Sequence, residues 1–568
     1  MPFLLRNVPL AVGASEDDLP SAIARRLRVQ PGDIRVYSIT RRSLDARKHD
    51  LHFDFHVEVA LAGGPRAEQD ALRRLTRAEA VWIDSTGPAE PRIGNEPLSQ
   101  RPVVIGFGPG GMFAALRLAE WGYKPLVLER GRDVRRRHRD IMHTFYRERR
   151  FNESSNLLFG EGGAGTYSDG KLYTRIHDHR CRFVLETLYH HGAPADILID
   201  ARPHVGSDKL PTVCARIRER IERLGGEIRF DTVVDDLRVE ESRLSALHIR
   251  QLGDHPHEEW LAAGPTVLAI GHSARDTLRM LVRRGVRVVP KPFQLGVRIE
   301  HPQELVNRWQ FGDAAGRCGL AAAEYHVIAK GAACERGDLF SFCMCPGGLI
   351  LPTNESSGLI ATNGASRAGR SGRFANSGLV ITVDPSSLGE SADRLHPDMA
   401  KKWREASEGV DDEARHALHA VAYQEHWERL AFEATGGSYE VPAQRADDFL
   451  KGRGSDGKLE TSYPLGGRWT DIRRLVPIDM ADSLARALPI LDRRMPGFAA
   501  GDGLLTAPET RASAPFRILR DPVTMEAVRT ANLFPIGEGA GYAGGIVSAA
   551  VDGLRAAEAI MSRYAPPR

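Results

Sequence analysis

Residues 103–129 read VVIGFGPGGMFAALRLAEWGYKPLVLE. Val103, Val104 and Ile105 are a short apolar run, which reads as a buried strand. Gly106, Gly108 and Gly111 follow as G-x-G-x-x-G. The first glycine admits a tight turn, and the second lets the backbone approach a pyrophosphate with no side chain between. The third lets the next helix pack closely on the sheet. A helix over 112–121 is expected, stopped by Gly122, and then a second strand over 125–128. The helix N-terminus offers unpaired N–H groups and partial positive charge to phosphates. Pro109 suits a first turn whose N–H has no partner. Glu129 stands at the end of the second strand. A carboxylate there accepts hydrogen bonds from ribose hydroxyls and repels a 2′-phosphate, which selects FAD or NAD over NADP. Gly110 and Arg130 are assigned to the same site.

The choice between FAD and NAD is made at the other end of the chain. Residues 533–546 read LFPIGEGAGYAGGI, a strand, a turn and the start of a helix over 546–561. This stretch resembles the C-terminal motif of glutathione-reductase-type flavoproteins. The resemblance implies FAD. It gives Gly537 and Glu538 to the ribityl chain, and Gly544, Gly545 and Ile546 to the flavin pyrimidine edge. The family more often has Asp where Glu538 stands, one methylene shorter.

Residues 156–175, NLLFGEGGAGTYSDGKLYTR, make a third glycine cluster. Gly162, Gly163 and Gly165 let the backbone pass close to a planar ring or a phosphate. With FGEGGAGTYSDGKL at 159–172 and SFCMCPGG at 341–348, the chain resembles the bacterial FAD-dependent dehydrogenases, also described as NAD(FAD)-utilising dehydrogenases. The resemblance covers most of the chain. It implies an α/β protein with a discontinuous Rossmann-type FAD-binding domain, an inserted α+β substrate domain and a small N-terminal α+β domain. The expected boundaries are 1–95, 100–289, 290–505 and 506–568. By the same analogy the backbone at Val233 or Val234 meets the adenine and Gly271 passes near the adenosine–pyrophosphate. Lys171 then faces the pyrophosphate or the flavin.

For chemistry, Cys343 and Cys345 are candidates as a redox pair or a nucleophile beside the flavin. Alternation along a strand argues against their bridging. No second cysteine pair completes a zinc set, so no metal is expected. His272, in the loop after the strand TVLAI, is the best acid/base candidate. Arg298 and Arg511 are candidate anchors for an anionic small-molecule substrate. No second G-x-G-x-x-G occurs, which leaves transient NAD(P)H binding over the flavin as the only nicotinamide role.

The remaining features bound the setting. At 568 residues the chain is too long for one core, and two or three domains are expected. Six cysteines make no disulfide framework, and no run of 18 apolar residues occurs, so the expectation is a cytoplasmic protein without a membrane partner. Ser15 reads as the cap of a helix bearing Leu19, Ile23 and Leu27, and 51–59 alternates as a half-buried strand. Residues 84–100 read as a linker. The net charge of +3 requires no polyanionic partner, but Arg132–Arg150 carries eight arginines against three acids. That segment reads as a solvated helix face or an anion-binding patch. The second reading makes a flavin-dependent RNA-modifying or RNA-binding protein the alternative to an oxidoreductase. A non-catalytic flavin sensor is the third.

Overall fold

The computed structural model describes residues 2–567 apart from 47–50, 84–89, 254, 317–318, 333–336 and 390–393. Residues 84–89 of the linker reading therefore lie outside the described residues. The centre of the molecule is a five-stranded parallel sheet. Its strands, in order, are Leu533–Pro535, Thr266–Leu268, Val103–Ile105, Leu126–Leu128 and Glu227–Arg229. Four of these are buried along their whole length, as three-residue apolar strands covered on both faces should be. The strand from the C-terminus pairs directly with Thr266–Leu268, which in turn pairs with the strand of the fingerprint. The discontinuous domain is thus closed by its own main chain.

The fingerprint helix runs Pro109–Glu120 and the terminal helix Ile546–Arg563. They cross at two glycines. A Cβ on Gly553 would stand 2.1 Å from the Gly110 carbonyl oxygen, so only glycine permits the approach. The two helices share one core with Val104, Val127, Val267 and Phe534 of the sheet. A three-stranded antiparallel sheet, Thr232–Glu240, Arg243–Gln251 and His257–Ala262, is set beside the parallel one.

The middle of the chain builds a seven-stranded sheet around the long strand Phe293–Pro302, which pairs antiparallel with Phe374–Val383 and Leu504–Glu509. The boundary read at 505/506 falls inside the last of these strands. Two antiparallel strands, Val288–Pro290 and Phe516–Ile518, form the neck where the chain leaves the nucleotide-binding part and returns to it.

The N-terminal unit is a four-stranded sheet with helices Leu19–Leu27 and Gly64–Leu72. Ser15 caps a 3₁₀ turn just before the first helix, with its hydroxyl accepting from Asp17 N at 3.2 Å. The unit is held to the rest by Arg42, whose N–H donates to the Ile199 carbonyl and whose guanidinium lies 2.9 Å from Asp200.

The glycine crossing predicts a specific sensitivity. Gly553→Ala forces a backbone shift and should cost about 1–3 kcal/mol, the usual range for overpacking. Gly454→Ala, at a position with nothing within 4 Å, is the control and should shift stability by less than about 0.5 kcal/mol. Thermal melts of the two variants check this, and equal midpoints would show that the helices do not depend on the contact.

Candidate functional site

A cavity of about 340 Å³ runs along the carboxyl ends of the parallel strands, the position at which open α/β sheets bind ligands. Its wall brings together segments far apart in sequence: the fingerprint loop, the 163–171 loop, the 269–274 loop and the 537–546 turn. Phe342 and Cys343 of the inserted sheet add to it.

The fingerprint loop is built by backbone contact. Gly106 has φ +93°, and a Cβ there would lie 2.5 Å from the Ala269 carbonyl oxygen. A Cβ on Gly111 would lie 2.0 Å from the Gly106 oxygen. Gly111 is therefore a packing glycine and does not line the cavity. Gly108 and Gly163 both line the wall and pack backbone to backbone there, since a Cβ on Gly163 would come within 3.0 Å of Gly108 Cα. Gly110, Gly165, Gly271, Gly537, Gly544, Gly545 and Ile546 also line the wall.

Glu129 lines the cavity and is 4% exposed. Its Oε2 accepts from Phe107 N at 2.7 Å, and its Oε1 accepts from Gly131 N and Gly160 N, each at 2.9 Å. The carboxylate thus organises three loops, a role the sequence spacing did not reveal. Two carboxylate oxygens offer about four acceptor sites, so one remains for a ribose hydroxyl. Arg130, at the same end, stacks over Phe159 at 4.5 Å and pairs with Asp276 at 3.0 Å. Glu538 lines the opposite wall, accepting from Ala514 N at 2.7 Å.

Several sequence expectations need correction. Thr232 and Val234 line the cavity and Val233 does not, as alternation along the strand requires. Gly162 also lies outside the wall. It has φ +78°, and a Cβ would collide with Thr166 Oγ1, so its glycine is demanded by the turn. Arg298 is fully buried and committed: its guanidinium donates to Glu509 at 2.9 Å, Asn376 at 2.8 Å and the Cys343 carbonyl at 2.7 Å. Arg511 reaches the cavity wall but is bound to Glu428 at 2.8 Å and Glu355 at 3.0 Å. Neither arginine is a free anion anchor.

Part of the arginine-rich segment is engaged within the fold, while Arg135, Arg139, Arg147 and Arg150 are exposed. Arg137 is fully buried and donates to the carbonyls of Asn156, Glu161 and Gly163. Arg132 and Arg136 pair with Asp231 at 3.1 and 2.7 Å. Arg137 thus braces the 156–163 loop.

His272 lines the cavity with Nε2 buried and unpartnered. Burial, with Arg511 and Arg275 nearby, pushes it down to about 3. At neutral pH it is therefore uncharged, which argues against the general-acid half of the acid/base expectation.

The end of the cavity opposite Glu129 holds Lys171, Cys343, Asn363 and Thr353. Lys171 Nζ lies 2.9 Å from Asp169 Oδ2, donates to the Met344 carbonyl, and stands 4.0 and 3.7 Å from the sulfurs of Cys343 and Cys345. Cys343 has φ +42°, and the register slips between Phe342 and Cys345. The bulge brings both thiols to one side of the strand, which corrects the reading from simple alternation. Asp169, within FGEGGAGTYSDGKL, and Thr353 and Asn363 are not singled out by the sequence.

The residues present fit FAD. The glycine-walled track, the helix N-termini and the unpartnered Thr353 Oγ1 and His272 Nε2 match an elongated ligand with phosphates in its middle and polar groups at its far end. This is the site of a dinucleotide-binding flavoprotein. A family model described as "FAD-dependent protein, C-terminal domain-like" matches residues 292–512, and a domain of unknown function matches 6–60. An uncharacterized protein of Clostridium beijerinckii is 38% identical over 571 residues, covering 100% of both chains. The chain belongs to this family of FAD-dependent proteins. Similar solved structures include an E. coli quinol fumarate reductase and the L-amino acid deaminase from Proteus vulgaris. The first is 13% identical over 83% of this chain and 71% of that one, with TM-score 0.34. The second is 11% identical over 86% and 98%, with TM-score 0.35. Among the described residues no helix is long and apolar enough to cross a membrane.

Glu129→Gln should be costly. The amide N–H₂ cannot accept, so at least one buried backbone donor is left unpaired, a loss of about 1–3 kcal/mol. A lowered thermal midpoint of the flavin-free chain checks this, and an unchanged one would show that the three amides do not depend on the carboxylate.

Proposed function

We propose that this protein is an FAD-dependent oxidoreductase that exchanges a hydride between a small organic substrate and flavin N5. The observation that carries the reading is the single cavity lined by both the fingerprint loop and the 537–546 turn. A nicotinamide-only domain has no need of the second motif. The bound flavin supplies two-electron chemistry with N5 as its hydride acceptor or donor.

The chain's own groups take the following parts. Gly106, Gly108 and the N-terminus of the helix from Pro109 hold the pyrophosphate. Glu129 and Arg130 hold the adenosine end, with Thr232 and Val234 beside it. Glu538 serves the ribityl chain, and the N-terminus of the helix from Ile546 brings partial positive charge to the pyrimidine edge. Lys171 adds a full positive charge at the same end. Burial opposes its ammonium, but Cys343, Cys345 and Asp169 outweigh burial and raise its pKa. His272 supplies a neutral hydrogen-bonding edge to whatever lies over the ring. The inserted sheet covers the far end and keeps water from it.

Gly108→Glu tests the assignment, because it puts a long side chain on the wall where the fingerprint loop packs on Gly163 and brings negative charge to the phosphates. The expected result is a folded, colourless protein that takes up no added FAD. A yellow variant would overturn the site. In the wild type, anaerobic addition of NADPH separates two sources of electrons. Bleaching of the visible band identifies nicotinamide as donor, and persistence assigns that role to the substrate.

A further inference from the structure

The strand Leu339–Cys345 reaches the cavity at the end away from Glu129. Since the fingerprint loop takes the phosphates and Glu129 the ribose, that end is where the flavin ring belongs. Cys343 is partly exposed and lines it, whereas Cys345 is buried just behind. The bulge and the left-handed turn at Cys343 bring Cys345 Sγ back to within 3.3 Å of the Cys343 carbonyl oxygen, so that both sulfurs lie on one side of the strand. One ammonium, Lys171, stands beside both sulfurs. A partly exposed thiol, a buried second thiol on the same side of the strand, and a fixed positive charge are the parts of a dithiol redox centre.

We propose that Cys343 and Cys345 are a two-electron thiol pair, with Cys343 as attacking thiolate, Cys345 as resolving thiol and a low-molecular-weight disulfide as substrate. The Cys343 thiolate attacks one sulfur of the external disulfide. That S–S bond breaks, a mixed disulfide forms on Cys343, and one thiolate leaves. Cys345 then loses its proton and attacks the Cys343 sulfur, which forms the internal disulfide and expels the second thiolate. The pair gives up two electrons and the proton of Cys345. The external disulfide takes both electrons and, with that proton and one from solvent, becomes two thiols. Return to the starting thiolate and thiol takes two electrons and one proton from the reduced flavin, whose second proton replaces the one drawn from solvent, and only this step rests on the function proposed above.

The charges around the pair favour this division of labour. Lys171 and Asp169 face Cys343 from the 163–171 loop, Arg298 from the long strand of the inserted sheet, and Glu509 from the strand beside it. Tyr173 lies further out. The neighbouring Cys345, together with Lys171 and Arg298, holds Cys343 well below the ordinary thiol range despite its burial and Asp169. Cys345 is pushed up by the neighbouring Cys343 and by burial. Cys214 is pushed up to about 12 by burial and Glu161, which Arg137 and the Thr166 hydroxyl do not offset.

The test uses the full chain and dithiodipyridine as the disulfide, with peptide mass mapping as readout. In the wild type the peptide containing Cys343 and Cys345 should lose two hydrogens and carry no pyridyl adduct. In Cys345→Ser the same peptide should retain one pyridyl adduct on Cys343. Alkylation of wild-type Cys343 by iodoacetamide should have its midpoint below about pH 7, and Lys171→Gln should raise that midpoint by about one unit or more. A stable adduct on wild-type Cys343, or a midpoint in the ordinary range of about 8–9, overturns the proposal. None of these readings involves flavin. A failure of the thiol pair is thus distinguishable from a failure of FAD binding, which shows as loss of the visible band.

Discussion

One buried carboxylate holds the nucleotide end of this molecule together. Glu129 cannot be charged and 4% exposed without compensation, because an unpaired buried charge is prohibitively costly. Its partners are backbone amides from Phe107, Gly131 and Gly160. These belong to the fingerprint loop, the end of the second strand and the third glycine cluster. The cost of burial is thereby converted into register between three loops. Gly131 makes it possible, since a Cβ there would fall 2.5 Å from the Gly160 amide nitrogen. Arg137 completes the arrangement from beneath by binding the carbonyls of the same glycine-rich stretch.

The other end is fixed by buried ion pairs that cross between the two parts of the fold. Arg275, at the start of the helix after the 269–274 loop, reaches Glu428 at 2.9 Å on the long helix Asp412–Ala434. Arg511 closes on the same carboxylate from the segment between the strands Leu504–Glu509 and Phe516–Ile518. Such pairs add little net stability over apolar packing, but removing one partner is severe, so they act as geometric locks. Arg298 does the same within the inserted sheet. By donating to the Cys343 carbonyl it holds the bulged residue in its left-handed conformation.

What could be read from the sequence was whatever is encoded locally. The strand, glycine turn and helix at 103–120 form one contiguous pattern, and the structure has them within three residues of the expected ends. The turn at 537–546 was legible for the same reason. Phase and partnership were not. Val233 and Val234 look alike in sequence, and only the pairing of Thr232–Glu240 decides which of them faces the cavity. Arg298 and Arg511 are indistinguishable from ligand-binding arginines until Glu509 and Glu428, distant in sequence, are brought beside them. Alternation predicted that Cys343 and Cys345 would diverge. A bulge depends on the neighbouring strand Phe374–Val383 and leaves no local mark.

These two kinds of order explain why the chemistry lies where it does. The Glu129 end is satisfied by the chain itself, so it stays in place whether or not a ligand is bound. The far end is not satisfied. Thr353 Oγ1 and His272 Nε2 are buried without partners, and each such atom costs about 1–3 kcal/mol when left dry. Apolar side chains in their place would make a more stable empty protein. Polar groups at those positions therefore make sense only if a ligand completes their hydrogen bonds, and completing them favours the folded chain by mass action. Thr353 Oγ1 and His272 Nε2 thus stay open to a ligand in the cavity, while Glu129 and the buried ion pairs hold its walls.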